Sequence, residues 1–285
     1  MADVPPRKFD GSEPRGALPN LIIIGAQKCG TTALHSYMHR HPEIMMSTPK
    51  EVNFFIDKPG KGTWDKGVDW YRSHFDDSFA VRGESSPDYS ADPLYRDVPA
   101  RMAQLAPDAK LIFLVRDPVD RAHAGYVHHY ARRTERRAMR EALLDPESPH
   151  VWRSRYHHQL SLWLEHYPLE RILVLSQDEL RSRRRPTLKS VWRFLGVREN
   201  VWRESFHIKR LKTKDLRRLT PLGKLVVDRV SGRRWRQLRA YPPFTMRFEP
   251  PELDPGLRAE LAELLRDDAA RFRELSGMTF EDWSV

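Results

Sequence analysis

The sequence predicts an α/β fold in which helices cover a central parallel sheet, and three observations support this. Residues 21–24, 110–115 and 171–175 form short, almost entirely apolar runs, as buried parallel strands do. Each run is followed by a loop and then a helical pattern, which is the order of βαβ units. The chain has 285 residues, 40% of them hydrophobic, enough to bury the core of one large domain. We therefore expect three layers with the sheet in the middle.

The elements are predicted in order along the chain. Residues 21–24 (LIII) form the first strand, and residues 31–41 form a helix that ends before Pro42, because a residue before proline disfavours helical geometry. The run at 110–115 precedes a helix that reaches about Tyr130, and the run at 171–175 precedes a further helical region. Two more helices carry apolar residues on one face: Leu160, Trp163 and Leu164 within 154–166, and Leu188, Val191, Trp192 and Leu195 within 186–195.

The last third of the chain contains a weak pattern followed by a clear one. Residues 200–250 carry basic clusters without a helical or strand period, so we expect an irregular segment there, a candidate lid. Asp254 can cap a helix that starts at Pro255 and ends before Gly277, with apolar residues at helical spacing. No linker interrupts the sequence, so we expect a flexible tail over 1–19 and a single domain over 20–285.

The positive charge of the chain is unevenly distributed. The net charge is +10, with −1 in residues 1–131, +16 in residues 132–239 and −5 in residues 240–285. Two interpretations of the basic block are open: solvated helix faces, or a surface for a polyanion such as nucleic acid, an anionic membrane or a small ligand. Composition alone favours solvated faces.

Composition also excludes several classes of protein. A chain that is 40% hydrophobic is not a disordered polyelectrolyte. No apolar run approaches the roughly 20 residues that span a bilayer, and the N-terminal residues lack the apolar stretch of an export signal. The single cysteine, Cys29, has no partner for a disulfide, and the histidines lack metal-site spacing. We therefore expect a cytoplasmic protein without a metal site or transmembrane segment.

The loop between the first strand and the first helix carries the strongest chemical signal. Residues 25–32 (GAQKCGTT) lie where backbone N–H groups and the helix dipole attract anions. Compared with the nucleotide loop GxxxxGK[ST], both glycines and Thr32 are present, but Thr31 replaces the lysine and Lys28 stands inside the loop. This indicates a modified phosphate loop. By itself, the pattern also fits an ordinary turn between a strand and a helix.

Several sequence stretches, in order along the chain, indicate a specific protein family. They are LIIIGAQKCGTTALHSYMHRHPEI, PKEVNFF, DWYRSHF, GESSPDY, KLIFLVRDPVDRAHAGY, YHHQLSLWLEHYPLERILVLSQDEL, SVWRFLGV and RDDAARFRELSGMTFEDW. Over about residues 20–200 and the C-terminal helix, the chain resembles the sulfotransferases that use 3′-phosphoadenosine 5′-phosphosulfate (PAPS), of the bacterial type similar to heparan-sulfate sulfotransferase domains. The resemblance implies a P-loop-like α/β fold and sulfuryl transfer.

The resemblance also assigns the residues that bind PAPS. The 5′-phosphosulfate would lie on Gln27, Lys28, Cys29, Gly30, Thr31 and Thr32. Lys28 would stabilise charge on the leaving oxygen, and Arg116 would bind the 3′-phosphate at the carboxyl end of a strand. An ion pair with Asp117 or Asp120 is the alternative for Arg116. The family's serine eight residues after this arginine is Ala124 here.

A late basic segment closes over the 3′-phosphate in related enzymes. Residues 207–218 (HIKRLKTKDLRR) are the candidate, with Arg210 and Lys212 as its predicted ligands.

The acceptor side of the site follows the same resemblance. Glu51 matches the general base, which would take the acceptor's proton, and burial beside Phe54 and Phe55 would raise its pKa. Lys50 would steady the sulfuryl group or the glutamate, while Glu84 and Phe54 would support the site or contact substrate. A surface Lys–Glu pair and a plain turn before Pro87 are the alternatives.

The expected function is therefore in-line transfer of a sulfuryl group from PAPS to a hydroxyl, or alternatively an amine, with no metal required. The acceptor would be a small molecule, lipid or saccharide, including acidic or carrier-bound ones. Two other functions stay open: a P-loop kinase or NTPase, which the missing lysine at position 31 disfavours, and a basic nucleic-acid-binding protein, for which no motif is present.

Overall fold

A computed structural model describes residues 16–207, 217–227 and 243–285. Five parallel strands form one sheet in the order β2-β3-β1-β4-β5. Their bounds are β1 Leu21–Gly25, β2 Ile44–Met46, β3 Val81–Ser85, β4 Lys110–Val115 and β5 Ile172–Ser176. The predicted parallel sheet and the three apolar strands β1, β4 and β5 are confirmed.

Two strands of this sheet, β2 and β3, were not predicted. β2 has three residues, too few for a period. β3 reads VRGES, and its polar residues Glu84 and Ser85 are fully buried, so the strand lacks the apolar run that marks its neighbours. This segment forms a strand because β1 and β2 pair with it on either side, and its composition does not indicate a strand.

Helices cover the sheet, and most of the predicted ones are present. Their bounds are α1 Thr31–Met38, α2 Gly67–Arg72, α3 Val98–Leu105, α4 Pro118–Ala131, α5 Met139–Leu144, α6 Pro149–Trp152, α7 Tyr156–Leu164, α8 Gln177–Ser182, α9 Arg184–Leu195, α10 Pro221–Val227 and α11 Pro255–Ser276. Short 3-10 turns include Pro87–Tyr89, directly after β3. The helices α1, α4, α7 and α9 lie where the sequence predicted them.

The C-terminal helix α11 begins and ends at its predicted caps. The Asp254 side chain accepts a hydrogen bond from the Leu257 N–H at 2.9 Å, and Gly277 ends the helix with φ 66°. Leu261 and Leu265 pack with buried residues of α4 and α5 in a second apolar cluster beside the main core. This packing braces α4, the helix that follows Arg116.

The described parts of the predicted irregular segment contain some regular structure. The strands β6 (Arg217–Leu219) and β7 (Thr245–Arg247) form an antiparallel pair, and α10 follows β6. The Arg133 Nε donates to the Leu219 carbonyl at 2.6 Å, which joins this segment to the C-terminal end of α4. Arg210 and Lys212 lie outside the described residues.

The end of the predicted N-terminal tail lies against the body of the protein. The Gly16 carbonyl accepts a hydrogen bond from Arg72 Nε at 2.7 Å, and the Leu18 carbonyl accepts one from Arg82 Nε at 3.2 Å. Residues 1–15 lie outside the described part of the chain.

Candidate active site

The loop after β1 and Arg116 after β4 lie together at the carboxyl edge of the sheet. β1 lies between β3 and β4, so the phosphate loop (residues 25–30) after β1 lies next to Arg116, which follows β4. The chain leaves β1 towards β2 and β3 on one side and reaches β4 on the other, which makes this a topological switch point. Open α/β sheets bind ligands at such points.

The phosphate loop presents its backbone to the start of α1. Lys28 has φ 72° and Gly30 has φ 94°, both left-handed, and a Cβ on Gly30 would lie 3.1 Å from the Gln177 amide nitrogen. The Ala33 N–H bonds the Gly30 carbonyl at 2.9 Å as α1 begins. The first N–H groups of a helix have no acceptor within it, so this loop offers donors to an anion.

Lys28 lies among cations. Burial lowers its pKa first, and the charges of Arg132, Arg116 and Arg121 lower it further. In the described part of the chain, no carboxylate lies within ion-pair distance of Lys28. Several positive groups held together around a lysine that has no carboxylate partner favour a ligand with several negative charges.

His128 on α4 is the side chain that contacts Lys28, with 3.4 Å between the His128 Nδ1 and the Lys28 Nζ. Burial and the charge of Lys28 lower the pKa of His128 to about 2. The imidazole is therefore neutral at physiological pH, and its Nδ1 can accept from the ammonium group. Ala124, where the family has serine, lies one turn earlier on α4.

The other loop residues have different surroundings. Gln27 Nε2 donates to Asp88 Oδ1 at 3.2 Å. The Cys29 thiol is fully buried, 3.4 Å from the Tyr156 hydroxyl, and the Cys29 N–H donates to the Ala26 carbonyl. Cys29 thus serves the core and shapes the loop, while the Thr31 side chain is buried and Thr32 is exposed.

Arg116 forms the ion pair that was its alternative interpretation. Its Nη2 lies 3.1 Å from Asp120 Oδ2, and Asp120 also binds Arg258 at 2.7 Å. Asp117 instead caps α4 by accepting the Asp120 N–H, and it binds Ser284. Because Asp120 also pairs with Arg258, its carboxylate would keep one cationic partner if Arg116 bound an anionic ligand instead.

Two buried arginines were missed by the sequence analysis. Arg121 is fully buried: its Nε donates to the Ser154 hydroxyl at 2.7 Å, and its Nη1 has no partner among the described residues. Burial lowers the pKa of Arg121 to about 10. Arg153 is 5% exposed and pairs with Asp88 at 3.0 Å. Nothing in the sequence distinguishes these arginines from surface ones.

Glu51 lies beside the end of β3. Its N–H donates to the Ser85 carbonyl at 3.1 Å, and its Oε1 pairs with Lys50 Nζ at 2.7 Å. The Glu51 side chain is 49% exposed, so the expected burial beside Phe54 is absent. Burial lowers the pKa of His35 on α1, and the charge of Lys50 lowers it further. The Lys50–Glu51 pair therefore lies near α1.

Glu84 and Phe54, predicted on the substrate side, are both fully buried. Phe54 stacks on Tyr71 with 4.1 Å between ring centroids. Burial raises the pKa of Glu84 to about 7 against the opposing effect of the Tyr89 and Tyr71 hydroxyls, and neither carboxyl oxygen has a well-formed hydrogen bond among the described residues. Both side chains therefore lie in the core and are not exposed to a substrate in this structure.

A basic groove of about 470 Å³ lies between the C-terminal end of α4 and the β6–α10 segment. Its walls include Arg133, Arg136, Arg218 and Lys224. The Arg218 guanidinium lies 4.2 Å from the centroid of the Tyr130 ring. Glu135, the acid of the lining, already pairs with Arg137 at 2.9 Å, so the groove presents mainly positive charge.

Two further features concern metal binding and the crossing of a membrane. Within residues 16–207, 217–227 and 243–285, no cluster of three or more His, Cys, Asp or Glu side chains could hold a metal ion. Over the same residues, none of the helices combines the length and the apolar character needed to cross a membrane.

Comparison with known proteins places these features in context. Residues 18–221 match the sulfotransferase domain family. The bifunctional heparan sulfate N-deacetylase/N-sulfotransferase 1 of Caenorhabditis elegans is 33% identical over 199 residues, which cover 64% of this chain and 22% of that protein. Heparan sulfate glucosamine 3-O-sulfotransferase 3B1 of Homo sapiens is 30% identical over 263 residues, covering 84% of this chain and 64% of that protein.

The chain thus spans about a fifth of the first relative, 22%, and somewhat less than two thirds of the second, 64%. Among solved structures, a sulfotransferase from Alicyclobacillus acidocaldarius superposes with a TM-score of 0.68 at 24% identity, covering 94% of this chain and 100% of that one. This likeness confirms the predicted fold.

Proposed function

The chain belongs to the sulfotransferase family, and from this premise we propose that it transfers a sulfuryl group from PAPS to an acceptor hydroxyl. The single observation that carries the proposal is the position of Lys28, in the loop at the sheet's switch point, among the cations Arg132, Arg116 and Arg121. Among the described residues, no carboxylate lies within ion-pair distance of Lys28 itself. When bound, PAPS supplies the sulfuryl group on its 5′-phosphate.

The donor set fits a nucleotide with charge at both ends. The Lys28 ammonium and the N–H groups at the start of α1 are suited to the 5′-phosphosulfate, and Lys28 would stabilise negative charge on the leaving oxygen. Arg116, after the neighbouring strand, is suited to the 3′-phosphate, since a guanidinium can bind phosphate with two parallel hydrogen bonds. The neutral imidazole of His128 would keep the Lys28 ammonium in place.

Glu51 is the proposed general base. Its half-exposed carboxylate can reach an acceptor arriving from solvent, and the 2.7 Å pair with Lys50 holds its oxygen in a fixed direction. Glu51 would accept the hydroxyl proton as the acceptor oxygen attacks sulfur. Lys50 is only 17% exposed and would limit the movement of this carboxylate.

The basic groove supports an acidic acceptor. Arg132, whose charge acts on Lys28, directly precedes Arg133 in the groove wall, so the groove adjoins the donor site. The two relatives above are named for action on heparan sulfate, one as an N-sulfotransferase and one as a 3-O-sulfotransferase. We therefore propose a saccharide that carries carboxylate or sulfate groups as the first acceptor class to test, with a hydroxyl as the nucleophile and an amine as the alternative.

Calorimetric titration with 3′-phosphoadenosine 5′-phosphate (PAP), the expected product, and with ATP plus Mg²⁺ tests the donor. Tight PAP binding with weak ATP binding is the expected result. Binding of ATP that requires Mg²⁺, without binding of PAP, would establish a kinase or NTPase instead. Affinity for DNA that falls steeply with salt and ignores PAP would favour the nucleic-acid-binding alternative.

A second experiment identifies the acceptor. The enzyme is incubated with sulfur-labelled PAPS and a panel of paired acceptors, each pair differing only in the presence of a carboxylate or sulfate group. Label is expected on the acidic member of a saccharide pair. Equal labelling of neutral and acidic members would remove the acidic-acceptor proposal and leave the donor proposal intact.

A further inference from the structure

Asp88 lies behind the phosphate loop where three elements meet. It belongs to the 3-10 turn Pro87–Tyr89 after β3 and is 7% exposed. Burial would raise its pKa, but the charges of Arg153 and Lys61 outweigh burial and hold the pKa below the usual value. Asp88 is therefore a buried carboxylate that stays ionised, and both of its oxygens are used.

The first partner of Asp88 is the phosphate loop. Its Oδ1 accepts from Gln27 Nε2 at 3.2 Å. Gln27 precedes Lys28, whose φ of 72° lies in the left-handed region that residues other than glycine rarely adopt. A conformation of this kind persists only where surrounding contacts hold it. The bond to Asp88 is such a contact.

The second partner connects Asp88 to the Glu51 segment, defined here as residues 50–63. Lys61 pairs with Asp88 Oδ2. The turn that carries Lys61 folds back on the same segment, because the Thr63 hydroxyl donates to the Val52 carbonyl at 3.0 Å and the Thr63 N–H donates to the Asn53 carbonyl at 3.3 Å. These bonds connect the turn that carries Lys61 to the backbone next to Glu51.

The third partner anchors this arrangement. Arg153, after α6, pairs with Asp88 Oδ1 at 3.0 Å and is itself 5% exposed. An ion pair removed from water in this way is strong only while its geometry is kept, and it resists rearrangement. Asp88 thus joins the phosphate loop and the Glu51 segment through one buried carboxylate.

We propose that Asp88 is a positioning residue that couples the phosphate loop to the Glu51 segment. Binding of the donor to the phosphate loop would then order the segment that carries the proposed base. The inference rests on the proposed roles of Lys28 and Glu51. By thermodynamic reciprocity, if donor binding favours the ordered segment, the ordered segment favours donor binding by the same factor. A substitution that separates Lys61 from Asp88 should weaken both effects.

Hydrogen exchange of the full chain, with and without saturating PAP, tests the coupling without knowledge of the acceptor. In the wild type, PAP is expected to slow amide exchange in the Glu51 segment at least several-fold. In Asp88→Asn, which preserves shape but removes charge, PAP is expected to protect the phosphate loop and leave exchange in residues 50–63 unchanged. Protection of residues 50–63 by PAP in this variant would overturn the proposal.

Two further variants guard against a merely destabilised protein. Lys61→Met leaves Asp88 paired with Arg153 and bonded to Gln27, so its PAP affinity should stay within about twofold while PAP-induced protection of residues 50–63 is lost. Asp92→Asn changes a more exposed carboxylate four residues away, paired with His158, and should behave as the wild type. Retained protection in Lys61→Met contradicts the coupling, whereas a wild type that does not bind PAP contradicts the proposed function itself.

Discussion

The two basic regions of this protein differ in what their charges do. Lys28, Arg116 and Arg121 lie in residues 1–131, where the net charge is −1, yet they are close together and partly or fully buried. The groove residues belong to residues 132–239, where the net charge is +16, and Arg136 among them is exposed. Net charge along the sequence therefore does not show where cations are brought together and buried, because both depend on distances in the folded chain.

The largest effect is expected from a substitution at Lys28, in the more buried of the two basic regions. Lys28→Met removes the ammonium that would stabilise the leaving oxygen, so the sulfuryl-transfer rate should fall about a thousandfold. Rates are measured with labelled PAPS, and PAP affinity by calorimetry. Lys66→Met, at an exposed lysine, is the matched control and should keep full activity. Loss of less than about tenfold in Lys28→Met would contradict the role of Lys28.

The second effect tests the exposed edge of the site. Glu51→Gln keeps the shape but cannot accept a proton, so kcat should fall by about 10²–10³ with PAP affinity unchanged. Asp57→Asn, an exposed carboxylate six residues later, is the control and should have wild-type kcat. Full turnover in Glu51→Gln would show that another group takes the proton.

The third effect concerns stability and the buried carboxyl of Glu84. Its pKa is about 7 in the folded protein against 4.5 for the free group. A raised carboxyl pKa means that the folded state keeps the proton longer, so its stabilising contribution is present at low pH and is lost as pH rises between these values. From pH 5 to pH 8 the free energy of unfolding should fall by about 2–3 kcal/mol on account of this group.

Urea unfolding at the two pH values measures this change in the wild type and in Glu84→Gln. The variant cannot ionise at this position. The fall in its free energy of unfolding from pH 5 to pH 8 should therefore be smaller than that of the wild type, by about 2–3 kcal/mol. An equal pH dependence in both proteins would show that Glu84 keeps an ordinary pKa.

The smallest effect is expected in the groove. Arg136→Gln removes one exposed cation, so KM for an acidic acceptor should rise about threefold to tenfold, with less effect in high salt and none on PAP affinity. Arg140→Gln, at an exposed arginine that pairs with Glu260, is the control. An unchanged KM for acidic acceptors in Arg136→Gln would place the acceptor elsewhere.

Local signals in the sequence predicted most of the fold. The apolar strands β1, β4 and β5, the phosphate loop and the capped helix α11 each depend on residues close together in the chain, so their patterns are readable. The strand β3 was missed because its buried residues Glu84 and Ser85 are polar and are accommodated by neighbours distant in sequence. The roles assigned to Lys28, Arg116 and Glu51 came from the family resemblance and remain predictions.

The sequence by itself determined that the chain is an α/β protein, and it predicted a phosphate loop that contains Lys28. Only the tertiary structure decided which charges surround that lysine. His128 lies one hundred residues from it in the chain and Asp88 about sixty, yet both contact the loop. The physical reason is that burial and Coulomb interaction depend on distance in space, and the parallel sheet brings the carboxyl ends of β3, β1 and β4 together at one edge.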